Sequence, residues 1–252
     1  MDGEKKVAVV TGGGSGIGKA AALALARDGF ALVLAGRRTA PLESAASEIA
    51  GIGGAALSVA CDVGDEADVR RLFQQARQHF GRVDFVFNNA GISPPRHSIG
   101  DVPLTEWHAA LAVNLTGVFL CTREAFALMR DQQPSGGRIV NNGSISAHVP
   151  RPGSIAYTAT KHAVTGITRA TALEGRPHRI ACGQIDIGNA ATALTADLSA
   201  GREQADGQWR PEPTMDVEEA GRAVAYMASL PLDANVLFMT VMATAMPYVG
   251  RG

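Results

Sequence analysis

The stretch Val7-Ala8-Val9-Val10-Thr11-Gly12-Gly13-Gly14-Ser15-Gly16-Ile17-Gly18 decides how this chain is read. Its first four residues are apolar without a break and mostly β-branched. An unbroken run of this kind marks a short strand covered on both faces, because a half-exposed strand would alternate. Glycines then interrupt it, and over residues 16–28 alanine and leucine return at helical spacing. A strand, a glycine turn and a helix N-terminus together expose backbone N–H groups and the positive end of a helix dipole. Without a Cβ in the way, a pyrophosphate can reach that backbone. The alternative is a tight turn whose glycines only pack. The spacing is G-x-x-x-G-x-G, not the G-x-G-x-x-G of the usual dinucleotide fingerprint.

Outward from this loop the same alternation repeats. Strand-like runs stand at residues 31–34, 55–60, 83–87, 138–142, 179–185 and 236–241. Helical patterns fall at 42–49, 66–80, 107–129, 156–173 and 217–230, and 189–213 is irregular and polar. Repeated β–α alternation implies a parallel sheet with helices on both faces. No Pro- or Ser-rich linker divides it. The expectation is one α/β domain over residues 1–252, a Rossmann-like doubly wound sheet of about seven strands.

Composition agrees. A chain of 252 residues, 46% of them apolar, can bury a large core. Its 29 glycines, about 12% against a typical ~7%, follow no three-residue period, which excludes collagen. The net charge of −1 gives no basic excess for nucleic acid or an anionic membrane. Cys61, Cys121 and Cys182 are odd in number and lie in apolar stretches, as buried free thiols in a reducing compartment do. No metal-ligand spacing occurs. Met1 to Lys6 lacks a signal-peptide core, and the apolar segment 236–249 falls short of the ~20 residues a membrane helix needs. A cytoplasmic protein is expected.

The second strand ends in Gly36-Arg37-Arg38, where an NAD-binding site would place a carboxylate for the ribose. Two guanidiniums suit a 2′-phosphate instead, unless they are ordinary surface arginines. The reading favours NADP(H), with NAD(H) possible. Asp62, beside Val63 at the end of the third strand, could accept from an adenine amine or simply cap a turn. In Asn88-Asn89-Ala90-Gly91 the asparagines could lock a loop, while the small residues admit a ribose.

Tyr157 and Lys161 are spaced i, i+4 on one helix face. A tyrosine of ordinary pKa near 10 is a poor base at pH 7. A lysine ~4 Å away gains about 4 kcal/mol with phenolate at an effective dielectric of 20. Before any opposing desolvation, that lowers the phenol pKa by roughly three units and poises it for proton transfer. Ser144, closing the fifth strand, could hold a substrate oxygen.

Thr11-Gly12 with Gly16 and Gly18, Asn88-Asn89-Ala90-Gly91, Asn114, Ser144, Tyr157 and Lys161 resemble, in order and spacing, the short-chain dehydrogenase/reductase family. The resemblance implies an Asn114-Ser144-Tyr157-Lys161 tetrad. Tyr157 would be the general acid/base and Ser144 would orient the carbonyl. Lys161 would bind the nicotinamide ribose and depress the tyrosine pKa, and Asn114 would hold a water linking Lys161 to solvent. It also implies a cofactor-binding set of Gly12, Ser15, Gly16, Ile17, Gly18, Arg37, Arg38, Asp62, Val63, Asn89, Ala90, Gly91, Tyr157, Lys161 and Thr192.

Two departures stand out. Ile187 replaces the family's proline before Gly188, so the loop loses a fixed φ. Asp186 before it is unusual and reads most simply as an exposed loop carboxylate. The family's usual Asp-Gly-Gly after the last strand is also missing; Ala243 to Tyr248 is apolar instead. That tail suits either a homo-oligomer interface, tetramer or dimer, or core packing. Residues 189–213, with Leu194, Asp197, Leu198, Arg202 and Trp209, would form a substrate lid. His97 and His148 read as non-catalytic. The leading expectation is an NADP(H)-dependent oxidoreductase acting on a small-molecule carbonyl or secondary alcohol. Its rivals are a catalytically silent nucleotide-binding protein and another reaction, such as epimerisation or dehydration, at the same site.

Overall fold

The computed structural model describes residues 5–193, 195 and 201–249. Strand and helix alternate from the start: β1 Val7–Thr11, α1 Gly16–Arg27, β2 Ala31–Gly36, α2 Thr39–Gly51, β3 Ala56–Ala60, α3 Glu66–Phe80 and β4 Phe85–Asn88. Then follow α4 Leu104–Leu111, α5 Gly117–Asp131, β5 Gly137–Asn142, α6 Ile155–Glu174 and β6 Ile180–Gly188. A hairpin of β7 Arg202–Glu203 and β8 Trp209–Arg210 precedes α7 Val217–Ser229 and β9 Phe238–Met242. Seven strands form one sheet in the order β3-β2-β1-β4-β5-β6-β9, every pairing parallel. This is the expected doubly wound fold, with the order reversing on either side of β1.

Successive residues of each strand feed opposite layers. Ala8 and Val10 pack with Leu25 of α1, Leu42 of α2 and Val224 of α7. Val7 and Val9 pack with Leu72 of α3 and with Cys121 and Met129 of α5. That two-sided demand is why the strands read as unbroken apolar runs. α3 has its expected ends: the Asp65 side chain accepts from Asp68 N, and Gly81 closes the helix at φ 82°.

Two elements differ from the expectation. The long helix spans Leu104–Asp131, with a mean hydropathy of 1.3 in its most apolar window. By length and hydropathy it could cross a membrane. In the fold its face with Val118, Leu120, Cys121, Ala125 and Met129 is buried, and α5 packs on β4 and β5. It is interrupted by one π-turn, Ala112–Thr116, around buried Asn114.

β6 also runs further than its local pattern, through Ile187 and Gly188, because β9 pairs with it there: Asp186 with Thr240, Ile187 with Val241, Gly188 with Met242. The position where a proline was expected is therefore part of the ladder. The exposed-loop reading of Asp186 is corrected as well, since the residue is 1% exposed and inside a strand. Buried Arg138 of β5 ties the loop before β9 in place, donating to Asn235 Oδ1 and to the carbonyls of Leu230, Pro231 and Ala234. Burial lowers its pKa.

Candidate active site

The C-terminal ends of β1, β4, β5 and β6 share one edge of the sheet, and their loops are knitted together there. Thr11 Oγ1 accepts from the backbone N–H of Asn89 at 2.9 Å and of Ala90 at 3.0 Å. Asn89 donates to the Thr11 carbonyl at 2.9 Å and accepts from Asn142 Nδ2 at 2.9 Å. Asn89 is thus a loop lock joining three strand ends. Asn88 lies deeper, donating to Thr122 and to Asn141.

The glycine loop turns through Gly12 at φ +66° and Gly16 at φ +51°, which side chains rarely adopt. A Cβ on Gly18 would lie 2.6 Å from Asn89 Nδ2. Gly18 is buried and lets α1 sit against the loop lock. Ser15 stands at the start of α1, yet its side chain makes no capping bond.

A groove follows. Its first part is lined by Gly12, Gly14, Ser15, Arg37, Arg38, Asp62, Val63, Ala90 and Gly91. The second part shares Gly12, Ser15, Ala90 and Gly91 and continues past Gly16, Ile17, Asn89, Tyr157, Lys161 and Thr192. Every residue of the expected cofactor-binding set except Gly18 lines it. Arg37 and Arg38 are exposed, and Asp62 Oδ1 accepts from Gly64 N at 2.9 Å, the bond of a turn cap. The glycine cradle, where side chains would clash, together with a groove running from two arginines to a tyrosine-lysine pair, fits a nicotinamide dinucleotide.

Three of the expected tetrad meet at the far end of this groove: Tyr157 and Lys161 line it, and Ser144 lines the cavity that shares Tyr157 with it. Lys161, 5% exposed, donates from Nζ to the Asn142 carbonyl at 2.7 Å, and Nζ lies 5.5 Å from the centroid of the Tyr157 ring. Ser144 Oγ accepts from Ser146 N at 3.1 Å, which leaves its hydroxyl proton for another acceptor. Asn114 spends both side-chain atoms on Ile92, accepting from its N–H at 2.8 Å and donating to its carbonyl at 2.9 Å. It therefore braces the turn after β4, an anchor that its place in the sequence did not suggest.

A third cavity opens beside the tetrad, lined by Ser144, Tyr157, Ile187, Asn189, Arg96, Arg151 and Arg202 among others. Two of its lining residues, Arg151 and Asn189, share a buried carboxylate partner, Glu212. Arg151 donates to Glu212 Oε1 at 2.6 Å and to Asn189 Oδ1 at 3.0 Å. Asn189 in turn donates to Glu212 Oε2 at 2.8 Å. Sequence reasoning missed Arg151, Asn189 and Glu212. His97 pairs with Glu106 at 3.0 Å, and His148 with Asp186 at 2.8 Å. Leu194, Asp197 and Leu198 of the expected lid lie outside the described residues. The three thiols are buried and unpaired. Burial pushes Cys61 up to about 12, with Asp68 adding to the effect, and burial alone does the same for Cys182.

The family's short chain dehydrogenase profile matches residues 6–203. The chain belongs to the short-chain dehydrogenase family. Among curated relatives, it is 34% identical over 197 residues to a 3beta-hydroxysteroid dehydrogenase of Mediterraneibacter gnavus, covering 78% of this chain and 70% of that one. A 3-ketoacyl-(acyl-carrier-protein) reductase of Brucella melitensis, solved with NADH, superposes with a TM-score of 0.84 at 30% identity, covering 96% of this chain and 98% of the other. An alcohol dehydrogenase of Thermococcus sibiricus, solved with 5-hydroxy-NADP, gives 0.79 at 27%, covering 96% and 97%. Membership makes this short-chain dehydrogenase an oxidoreductase of a nicotinamide-using fold acting on a small molecule.

Proposed function

We propose that the protein is an NADP(H)-dependent oxidoreductase that interconverts a carbonyl and a secondary alcohol, with Tyr157 carrying the proton. The observation behind this reading is the place of Tyr157. It lines both the dinucleotide groove and the neighbouring cavity that holds Ser144, so it stands where the two meet. Bound in the groove, the nicotinamide would supply or accept the hydride. The chain's residues do the rest. Ser144, its oxygen already accepting from Ser146 N, donates its hydroxyl proton to the substrate oxygen and holds it beside Tyr157. The Tyr157 hydroxyl gives that oxygen a proton during reduction and takes it back during oxidation. The Lys161 cation stands 5.5 Å from the centroid of the Tyr157 ring, and Asn142 O holds that cation in place.

Arg37 and Arg38, with no carboxylate at Gly36, support a 2′-phosphate at the other end of the groove. Of the expected lid over 189–213, the described residues Asn189, Thr195 and Arg202 line the cavity. The protein assembles with copies of itself through β9, an edge strand with Phe238 37% exposed.

The test is NADPH oxidation against a broad panel of ketones, diketones and β-ketoesters, with NADP reduction by alcohols in reverse. Tyr157→Phe should cut kcat by at least about 100-fold and leave the NADPH dissociation constant within about twofold. Full turnover in that variant removes Tyr157 from the chemistry. NADPH binding with no turnover of any panel member favours the silent nucleotide-binding protein instead.

A further inference from the structure

Behind Ser144 lies a carboxylate that the proposed chemistry does not use. Asp186 Oδ1 accepts from the backbone N–H of Ser144 at 2.9 Å and from Gln184 Nε2 at 2.7 Å. Its Oδ2 lies 2.8 Å from His148 Nε2, and that ring is 43% exposed. The surroundings are shaped for it. A Cβ on Gly143 would fall on Asp186 Oδ1 and crowd Gln184, so the carboxylate fills the space a side chain at residue 143 would take.

Burying a carboxylate is costly unless each oxygen is matched, and here each oxygen has a partner. Its position also coincides with a break in the backbone ladder. Gly143 N still bonds to Ile185 O at 2.8 Å, the last rung between β5 and β6. One residue beyond that rung, Ser144 N–H bonds to the Asp186 side chain and not to a backbone carbonyl. Ser144 is then held twice, its backbone by Asp186 and its hydroxyl oxygen by Ser146 N. With both fixed, the remaining hydroxyl proton has a defined direction.

We propose that Asp186 is a positioning residue for the reaction, acting through Ser144, with His148 satisfying its second oxygen and Gln184 bracing the first. The inference rests on the oxidoreductase reading above. Asp186 lines neither the groove nor the cavity; it sets where the Ser144 hydroxyl stands. Small displacements of such groups are expensive, since an error near 1 Å costs up to about 100-fold in rate. Asparagine is the informative replacement, because its carbonyl oxygen can still accept from Ser144 N and Gln184 Nε2.

The experiment compares wild type with Asp186→Ala, Asp186→Asn, Ser144→Ala and the Ser144→Ala/Asp186→Ala double variant, using NADPH with 2,3-butanedione and ethyl acetoacetate. Asp186→Ala should lower kcat by about tenfold or more while the KM for NADPH stays within about twofold. Asp186→Asn should recover most of that loss. In the Ser144→Ala background, removing Asp186 should cost nothing further, as expected of residues acting as one unit.

Crystal structures of the single variants provide a second readout that needs no turnover. The 143–146 turn should shift in Asp186→Ala and return in Asp186→Asn. If wild type turns over and Asp186→Ala keeps its kcat, or loses as much again without Ser144, the inference fails and the oxidoreductase reading stands. If wild type reduces neither probe, the variant structures decide the positioning claim alone, and an unmoved turn in Asp186→Ala overturns it.

Discussion

Replacing Glu212 by glutamine tests how the cavity beside Tyr157 is held. The Glu212 side chain is 0% exposed and its partner Arg151 10% exposed. One carboxylate oxygen accepts from Arg151 at 2.6 Å and Gln204 at 3.0 Å, the other from Asn189 at 2.8 Å. Removing one member of a buried pair costs about 3–5 kcal/mol, because the other charge stays buried. Glutamine keeps the size and one acceptor, and Arg151 retains Asn189 Oδ1, so about 2–3 kcal/mol is expected. For a chain of this size that lowers Tm by roughly 5–10 °C. The pH dependence gives a sharper check. Burial works against the Glu212 carboxylate, but hydrogen bonds from Asn189, Gln204 and Arg151, with the Arg151 charge, outweigh it and hold its pKa below the ordinary 4.5. A depressed folded pKa contributes stability that is complete above the unfolded value and is lost as pH falls through the folded one. The Tm gap between wild type and Glu212→Gln should therefore be full at pH 7 and narrow below pH 4.5. Thermal unfolding followed by circular dichroism at a series of pH values reads both. Equal Tm values at pH 7, or a gap that stays constant into acid, would refute the reasoning.

Two further outcomes follow from the groove. Arg37→Ala and Arg38→Ala should each weaken NADPH by about tenfold, the loss of a charge-assisted phosphate contact, and leave NADH unchanged; titration calorimetry with both nucleotides reads this, and equal losses for the two would remove the 2′-phosphate from the account. Gly18→Ala would put a Cβ 2.6 Å from Asn89 Nδ2 and 2.8 Å from the Gly12 carbonyl carbon. Overpacking there should cost about 1–3 kcal/mol and weaken nucleotide binding by opening the loop lock, so an unchanged Tm and affinity would contradict it.

The inner strands of the sheet were legible because they are covered on both sides, and two-sided burial leaves an unbroken apolar run that needs no partner to be noticed. What escaped depends on residues far apart in the chain. β6 ends at Gly188 and not at Ile185 because β9 pairs with it there, a partner that local periodicity does not register. Asp186 looked like a loop carboxylate for the same reason. Once β6 is known to continue, Gln184 and Asp186 become a polar pair two residues apart on one strand face, a signal present in the sequence but unreadable without the boundary.

The candidate site divides along the same line. Groove residues such as Gly12, Tyr157 and Lys161 announce themselves by short spacings, because a loop or one helix turn sets their geometry. The cavity wall does not. Arg151 and Glu212 lie 61 positions apart, and Asn189 meets both only after β6 has delivered it. In the proposed function, dinucleotide recognition thus rests on local backbone geometry, which a motif can carry. The cavity beside Tyr157 is tied instead to long-range ion pairs and hydrogen bonds. It follows that substitutions in the glycine loop should alter nucleotide affinity most, whereas substitutions at Arg151, Asn189 or Glu212 should alter the choice among carbonyl compounds.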